Sequence, residues 1–159
     1  MHLPKAYFNI GGGKMARIEE SVIIKCPVDR VFVYTTEAKS WPKWHATMPE
    51  VEQTSQGQVG VGTTFRGKNR MMGQTSEWTA KATEYAPNKK WAKTITSGSV
   101  VIDEQLIFDA VEGGTKFTIV FDVKVGGFLR LLSSMIVNSM RKQLKLDLIN
   151  LKGLLEAQA

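Results

Sequence analysis

Residues 127–157 read GFLRLLSSMIVNSMRKQLKLDLINLKGLLEA, a run without proline. Leu132, Ile136, Met140, Leu144, Leu148, Leu151 and Leu155 recur three or four apart, so they line one face of a helix of 3.6-residue period. Arg130, Ser134, Asn138, Arg141, Lys145, Lys152 and Glu156 form the opposite, polar line, with Ile149 a misfit on it. Gly126 and Gly127 supply the break before the run. The expectation is one long amphipathic helix, on the order of 45 Å at about 1.5 Å per residue. A helix of that length needs an extended apolar surface beneath it.

The preceding sequence supplies strands for that surface. In residues 17–25, Ile18, Val22 and Ile24 alternate with Arg17, Glu19, Ser21 and Lys25, the period-two pattern of a half-buried strand. Glu20 is a carboxylate on its apolar side. Pro27 closes this strand, and residues 28–38 read as a short helix with Val31, Phe32 and either Tyr34 or Thr35 inward. Residues 41–46 read as a second brief helical turn, with Ser40 as candidate N-cap and Pro42 tolerated in the first turn. From residue 50 to 125, turn signals at Gln56-Gly57, Gly60, Met72-Gly73, Pro87-Asn88, Gly98 and Gly113-Gly114 divide the chain into six strands of an antiparallel meander. The clearest is 115–125, where Phe117, Ile119, Phe121, Val123 and Val125 share a face. In 100–110 the set Ile102, Leu106 and Phe108 is interrupted by Glu104.

A seven-stranded antiparallel sheet with one apolar face must curl or be covered, and only the terminal helix is long enough to cover it. The expected class is α+β: a curved sheet wrapped around a long C-terminal helix, with two short helices after the first strand. Residues 1–14, ending in Gly11-Gly12-Gly13 and Lys14, read as an N-terminal arm, and residues 15–159 as a single domain.

Composition narrows the functional classes. The 43% hydrophobic and 23% charged balance is that of a soluble globule. The longest nearly apolar run, 128–140, is interrupted by Arg130 and several polar residues and falls short of the roughly 20 residues a membrane span needs. The first ten residues lack an apolar stretch of signal-peptide length, so a cytoplasmic location is expected. Cys26 is the only cysteine, which excludes an internal disulfide and a multi-cysteine metal site. The net charge of +6 is concentrated where Arg66, Lys68, Arg70, Lys81, Lys89, Lys90 and Lys93 face only Glu77 and Glu84. No nucleic-acid motif accompanies them, so they read as solvent faces of strands and a loop, and no nucleic-acid partner is expected. There is no G-x-S-x-G, H-E-x-x-H, P-loop or G-x-G-x-x-G. No metal or cofactor is expected.

Several short pieces then coincide. Ile24-Lys25-Cys26-Pro27-Val28-Asp29-Arg30-Val31-Phe32 is followed by Trp41-Pro42-Lys43-Trp44, by Val61-Gly62-Thr63-Thr64-Phe65, by Thr83-Glu84-Tyr85-Ala86-Pro87 and by Gly113-Gly114-Thr115. In order and spacing they resemble the SRPBCC superfamily, the helix-grip proteins that include START lipid-transfer domains, birch-pollen-allergen-like proteins and polyketide cyclase/dehydrase-like proteins. The resemblance spans roughly residues 16–157. It implies an elongated cavity between sheet and long helix that holds a hydrophobic or amphipathic small molecule. Four tryptophans, seven phenylalanines and seven methionines agree with such a cavity, because methionine adapts to irregular apolar shapes.

Within that architecture, Trp41, Trp44, His45 and Met48 fall near the cavity mouth. Tyr34, Phe65, Trp78, Trp91, Glu104 and Phe108 are lining candidates from the first helix and the sheet, and Leu132, Ile136 and Met140 from the long helix. His45, Glu104 and Tyr34 are the candidates for proton transfer. His45 and His2 are the only histidines, and His2 lies in the arm. Glu20 and Glu104, if not turned to water by a bulge, pair with Arg66 or Arg70 or face a ligand. Two further readings stand beside ligand binding: a cyclase/aromatase-type enzyme, and an interaction module in which the apolar half of the helix and the basic strands meet a membrane surface or a protein. Oligomeric state is open.

Overall fold

The computed structural model describes residues 14–71 and 73–158. The chain runs β1 (Lys14–Ile24), α1 (Val28–Thr36), a 3-10 turn (Ala38–Ser40), α2 (Trp41–Trp44), β2 (Glu50–Gln53), β3 (Thr64–Met71), β4 (Gln74–Ala86), β5 (Lys90–Ser97), β6 (Val100–Val111), β7 (Gly114–Val125), a second 3-10 turn (Gly127–Leu132) and α3 (Ser133–Ala157). Of the expected N-terminal arm, residues 1–13 lie outside the described residues. No helix among the described residues is long and apolar enough to cross a membrane.

The seven strands form one antiparallel sheet in the order β1-β7-β6-β5-β4-β3-β2. Every strand from β2 to β7 pairs with its neighbour in sequence, and β1 closes the row against β7 from Lys14↔Val125 to Ile24↔Thr115. Register decides which side chains share a face. Opposing pairs such as Ile18↔Phe121, Phe117↔Phe108, Ile119↔Leu106, Leu106↔Trp91 and Ala80↔Phe65 carry one apolar face across the sheet. These residues, with Leu144, Leu148, Leu151 and Leu155 of α3, belong to one core.

α3 lies chiefly over β1 and fastens to the end of that edge strand. Lys152 Nζ donates to the Ile23 carbonyl at 2.6 Å, Glu156 Oε1 accepts from the Lys25 amide at 2.9 Å, and Arg30 Nη2 donates to the Gln158 carbonyl at 3.1 Å. The Lys25 amide and the neighbouring Lys152 hold the Glu156 carboxyl below its ordinary pKa, so this tie stays ionised to a lower pH than a free glutamate would. Backbone groups at the end of an edge strand are thereby covered.

Three local expectations are corrected. Ser40 makes no capping hydrogen bond; it is already in helical conformation at the end of the 3-10 turn and is buried. The helical run begins as a 3-10 turn over Gly127–Leu132, so the apolar stripe changes phase there and Leu132 is 41% exposed. Arg66 and Arg70 do not pair with the inner carboxylates: Arg66 binds Glu52, while Glu20 lies 3.8 Å from Lys145 of α3 and Glu104 binds Lys93.

Gly67 of β3 sits directly beneath Trp78 and against the Glu50 carbonyl, and a methyl group there would overlap both. We expect Gly67→Ala to lower stability by about 1–3 kcal/mol, the usual cost of overpacking, as read by the urea unfolding midpoint. An unchanged midpoint would mean that β2 and Trp78 move apart freely.

Candidate functional site

On the inner face, β5 and β6 place Lys93 directly opposite Glu104. Their side chains are each only 7% exposed and form an ion pair in the middle of an otherwise apolar surface. Trp91 lies two residues before Lys93 on the same face, and its ring centroid is 4.3 Å from the Lys93 ammonium. From the other side, α2 lowers Trp41 onto the pair, 4.8 Å from the same nitrogen. An ammonium held between two indole faces and a carboxylate recovers part of the hydration it loses on burial.

Trp41 is itself held in place. Its Nε1–H donates to the Thr35 carbonyl at 2.9 Å, a group freed at the end of α1, and its ring packs on Phe65, Trp91 and Trp78 at 4.9, 5.5 and 6.5 Å between centroids. Two other indole donors have no such partner among the described residues. The indole N–H groups of Trp91 and Trp44 are buried without a hydrogen bond. Leaving such a donor unpaired in an interior costs about 1–3 kcal/mol.

A second polar group fastens α2 to α3. His45 Nδ1 lies 3.1 Å from Asp147 Oδ2, while Asp147 Oδ1 accepts from Gln143 Nε2 at 2.9 Å and from the Ala46 amide at 3.3 Å. One turn further on, Asn150 Nδ2 donates to the Lys43 and Trp44 carbonyls. With Nδ1–H donated to the carboxylate, Nε2 is the basic nitrogen of neutral His45. This pairing latches α2 against the helix. The Trp44 and His45 rings lie 3.6 Å apart between centroids.

The predicted residues therefore separate into groups. Trp41, Phe65, Trp78, Trp91 and Glu104 come together around Lys93. Phe108 lies deeper, against Phe32 and Phe117. Trp44 is buried under α3, and Met48, Ile136 and Met140 are partly buried around the core. Tyr34 is partly buried on α1, and burial pushes its phenol pKa up. No hydrogen bond among the described residues joins His45, Glu104 and Tyr34, because Asp147 engages the first and Lys93 the second. Lys93 and Asp147 were not among the predicted site residues. Each left only a weak signal: Lys93 has the strand parity of Trp91 and Ile95, and Asp147 falls three residues after Leu144 and four before Leu151. Cys26 is buried and its thiol pKa is pushed up by that burial, as suits an inert core residue.

Outside this interior, an open groove of about 530 Å³ crosses the outer face of β3, β4 and β5, where Thr64, Arg66, Thr79, Lys81, Thr94 and Thr96 line it. Threonines make up much of its lining, together with Phe65 and Ala80. Among the described residues, no three histidine, cysteine, aspartate or glutamate side chains gather as a metal site.

Residues 15–156 match the sequence family described as polyketide cyclase / dehydrase and lipid transport. The chain belongs to this family. Its SRPBCC-type helix-grip architecture recurs in solved structures. The ZhuI aromatase/cyclase of Streptomyces superposes with a TM-score of 0.79 at 16% identity, covering 91% of this chain and 96% of that one. The protein TTHA0849 of Thermus thermophilus gives 0.78 at 16% identity, with 91% and 99% covered. Ara h 8.0201 gives 0.70 at 17% identity, with 91% and 99% covered. At these identities the likeness is one of fold. The sequence matches no curated protein.

Proposed function

We propose that the protein binds a largely hydrophobic, amphipathic small molecule, such as a lipid or a polyketide-like compound, between the inner face of the sheet and α3, with the polar end of the molecule at Lys93 and Glu104. The buried ion pair carries this reading. A purely structural interior gains little from two charges, since replacing a buried pair by apolar side chains is often neutral or stabilising. Beside that pair, the unpartnered Trp91 N–H is suited to a ligand oxygen, and the surrounding rings to an apolar body. The family description, cyclase/dehydrase and lipid transport, names molecules of this kind. We place the activity in the cytoplasm, consistent with a single, unpaired cysteine.

The hydrogen bond between His45 and Asp147 favours a second reading, a cyclase-type enzyme in which His45 Nε2 exchanges a proton with the bound molecule. One experiment separates the two. Native mass spectrometry of gently purified protein, followed by solvent extraction, is expected to release one small molecule in near-stoichiometric amount. An empty protein that also fails to bind apolar fluorophores would overturn both readings. If the wild type converts the extracted molecule and His45→Ala retains it unchanged, the enzyme reading holds; if neither converts it, binding alone remains.

A further inference from the structure

The outward side of the last helical segment is apolar where water should meet it. Phe128 is 82% exposed, Leu131 87%, Leu132 41% and Met135 51%, while Leu129, Ile136 and Val137 anchor the same stretch to the core. The segment is therefore held in place and still presents apolar side chains outward. The pattern continues along α3. Residues 142, 146 and 149 follow 135 by seven, eleven and fourteen positions, which puts them on one helical side. They are Lys142, Leu146 at 53% exposure and Ile149 at 66%.

Charge completes the picture. Along this stretch, from 128 to 146, the chain holds Arg130, Arg141, Lys142 and Lys145 and not one carboxylate. One of these cations, Lys145, lies 3.8 Å from Glu20 of β1, which leaves Arg141 and Lys142 without a carboxylate among the ion pairs of the described residues. We propose that this side of residues 128–149 is a docking surface for an anionic lipid bilayer, with Phe128, Leu131, Leu132 and Met135 entering the headgroup region. A bilayer suits it better than a protein. Lysine is depleted at the centre of protein interfaces, whereas on a helix lying in the plane of an anionic membrane it is favoured beside apolar side chains. The proposal does not depend on what the interior binds.

Co-flotation of the full chain with phosphatidylcholine vesicles, with and without phosphatidylserine, tests it. The protein is expected to float with the serine-containing vesicles, more weakly with neutral ones, and to be released by added salt. Phe128→Glu combined with Leu131→Glu is expected to reduce that partition by at least about ten-fold, since burying either side chain is worth that much or more. Both positions are so exposed that the thermal midpoint should not move, and this is the control for folding. Absence of flotation, equal partition onto both vesicle types, or undiminished partition of the double variant would each overturn the proposal. So would a dimer in solution that the double variant converts to monomer, because the face would then pair two copies of the chain.

Discussion

Glu104→Leu is expected to destabilise the protein by about 3–5 kcal/mol, because it strands the Lys93 ammonium in an interior where only two indole faces compensate it. Lys93→Met strands the carboxylate and should cost a similar amount. The double variant Lys93→Met/Glu104→Leu should return close to wild-type stability or exceed it, since two apolar side chains of similar volume need no compensation. Urea unfolding followed by tryptophan fluorescence on the four proteins gives the coupling directly. Simple addition of the two single effects would show that the charges are not coupled and would remove the basis for a polar anchor. The double variant has a second use: it should fold and yet retain less of any molecule extracted from the wild type, which separates the ligand role of the pair from its part in stability.

Trp41→Ala should cost about 3–5 kcal/mol, the range for removing a large buried aromatic side chain. The indole is 2% exposed, packs on three other rings and caps the Lys93 ammonium, so its loss also lets water reach the ion pair. Trp41→Phe keeps a ring at the site but loses the bond to the Thr35 carbonyl, and about 1 kcal/mol is expected for that. Urea midpoints of the two variants check both magnitudes, and near-ultraviolet circular dichroism reports whether the ring cluster keeps its order. A Trp41→Ala cost below about 1 kcal/mol would mean that α2 is not packed on the sheet as described and that Trp41 is a movable cover.

The fold was legible because its signals are periodic and local. Alternation in 17–25 and 115–125 marks strands, the three-and-four spacing from Leu144 to Leu155 marks a helix, and the glycine and proline turns separate the six strands of the meander. Leu132 was misplaced because a 3-10 turn has three residues per turn and not 3.6, so the stripe read backwards from Leu155 drifts off the buried side. The site was half legible. Glu104 stood out as a charge on an apolar strand face, but Lys93 was hidden in a run of cations that otherwise faces water, as Arg66, Lys68 and Lys90 do in their pairs with Glu52, Glu50 and Glu84. Asp147 was obscured in the same way, between Leu146 and Leu148 on a helix read for its leucines.

By itself, then, the sequence determined the order of elements, the antiparallel sheet and the helix that covers it, because hydrophobic period and turn chemistry act over a few neighbouring residues, while the orientation of Glu20 and Glu104 stayed open. Only the tertiary structure decided which partners those elements bring together. Pairing Lys93 with Glu104 requires the β5–β6 register, placing Trp41 over them requires the Thr35 carbonyl at the end of α1, and joining His45 to Asp147 requires α2 to meet a helix residue 102 positions later. Contacts of that kind depend on the simultaneous packing of distant segments, and no local pattern encodes their distances.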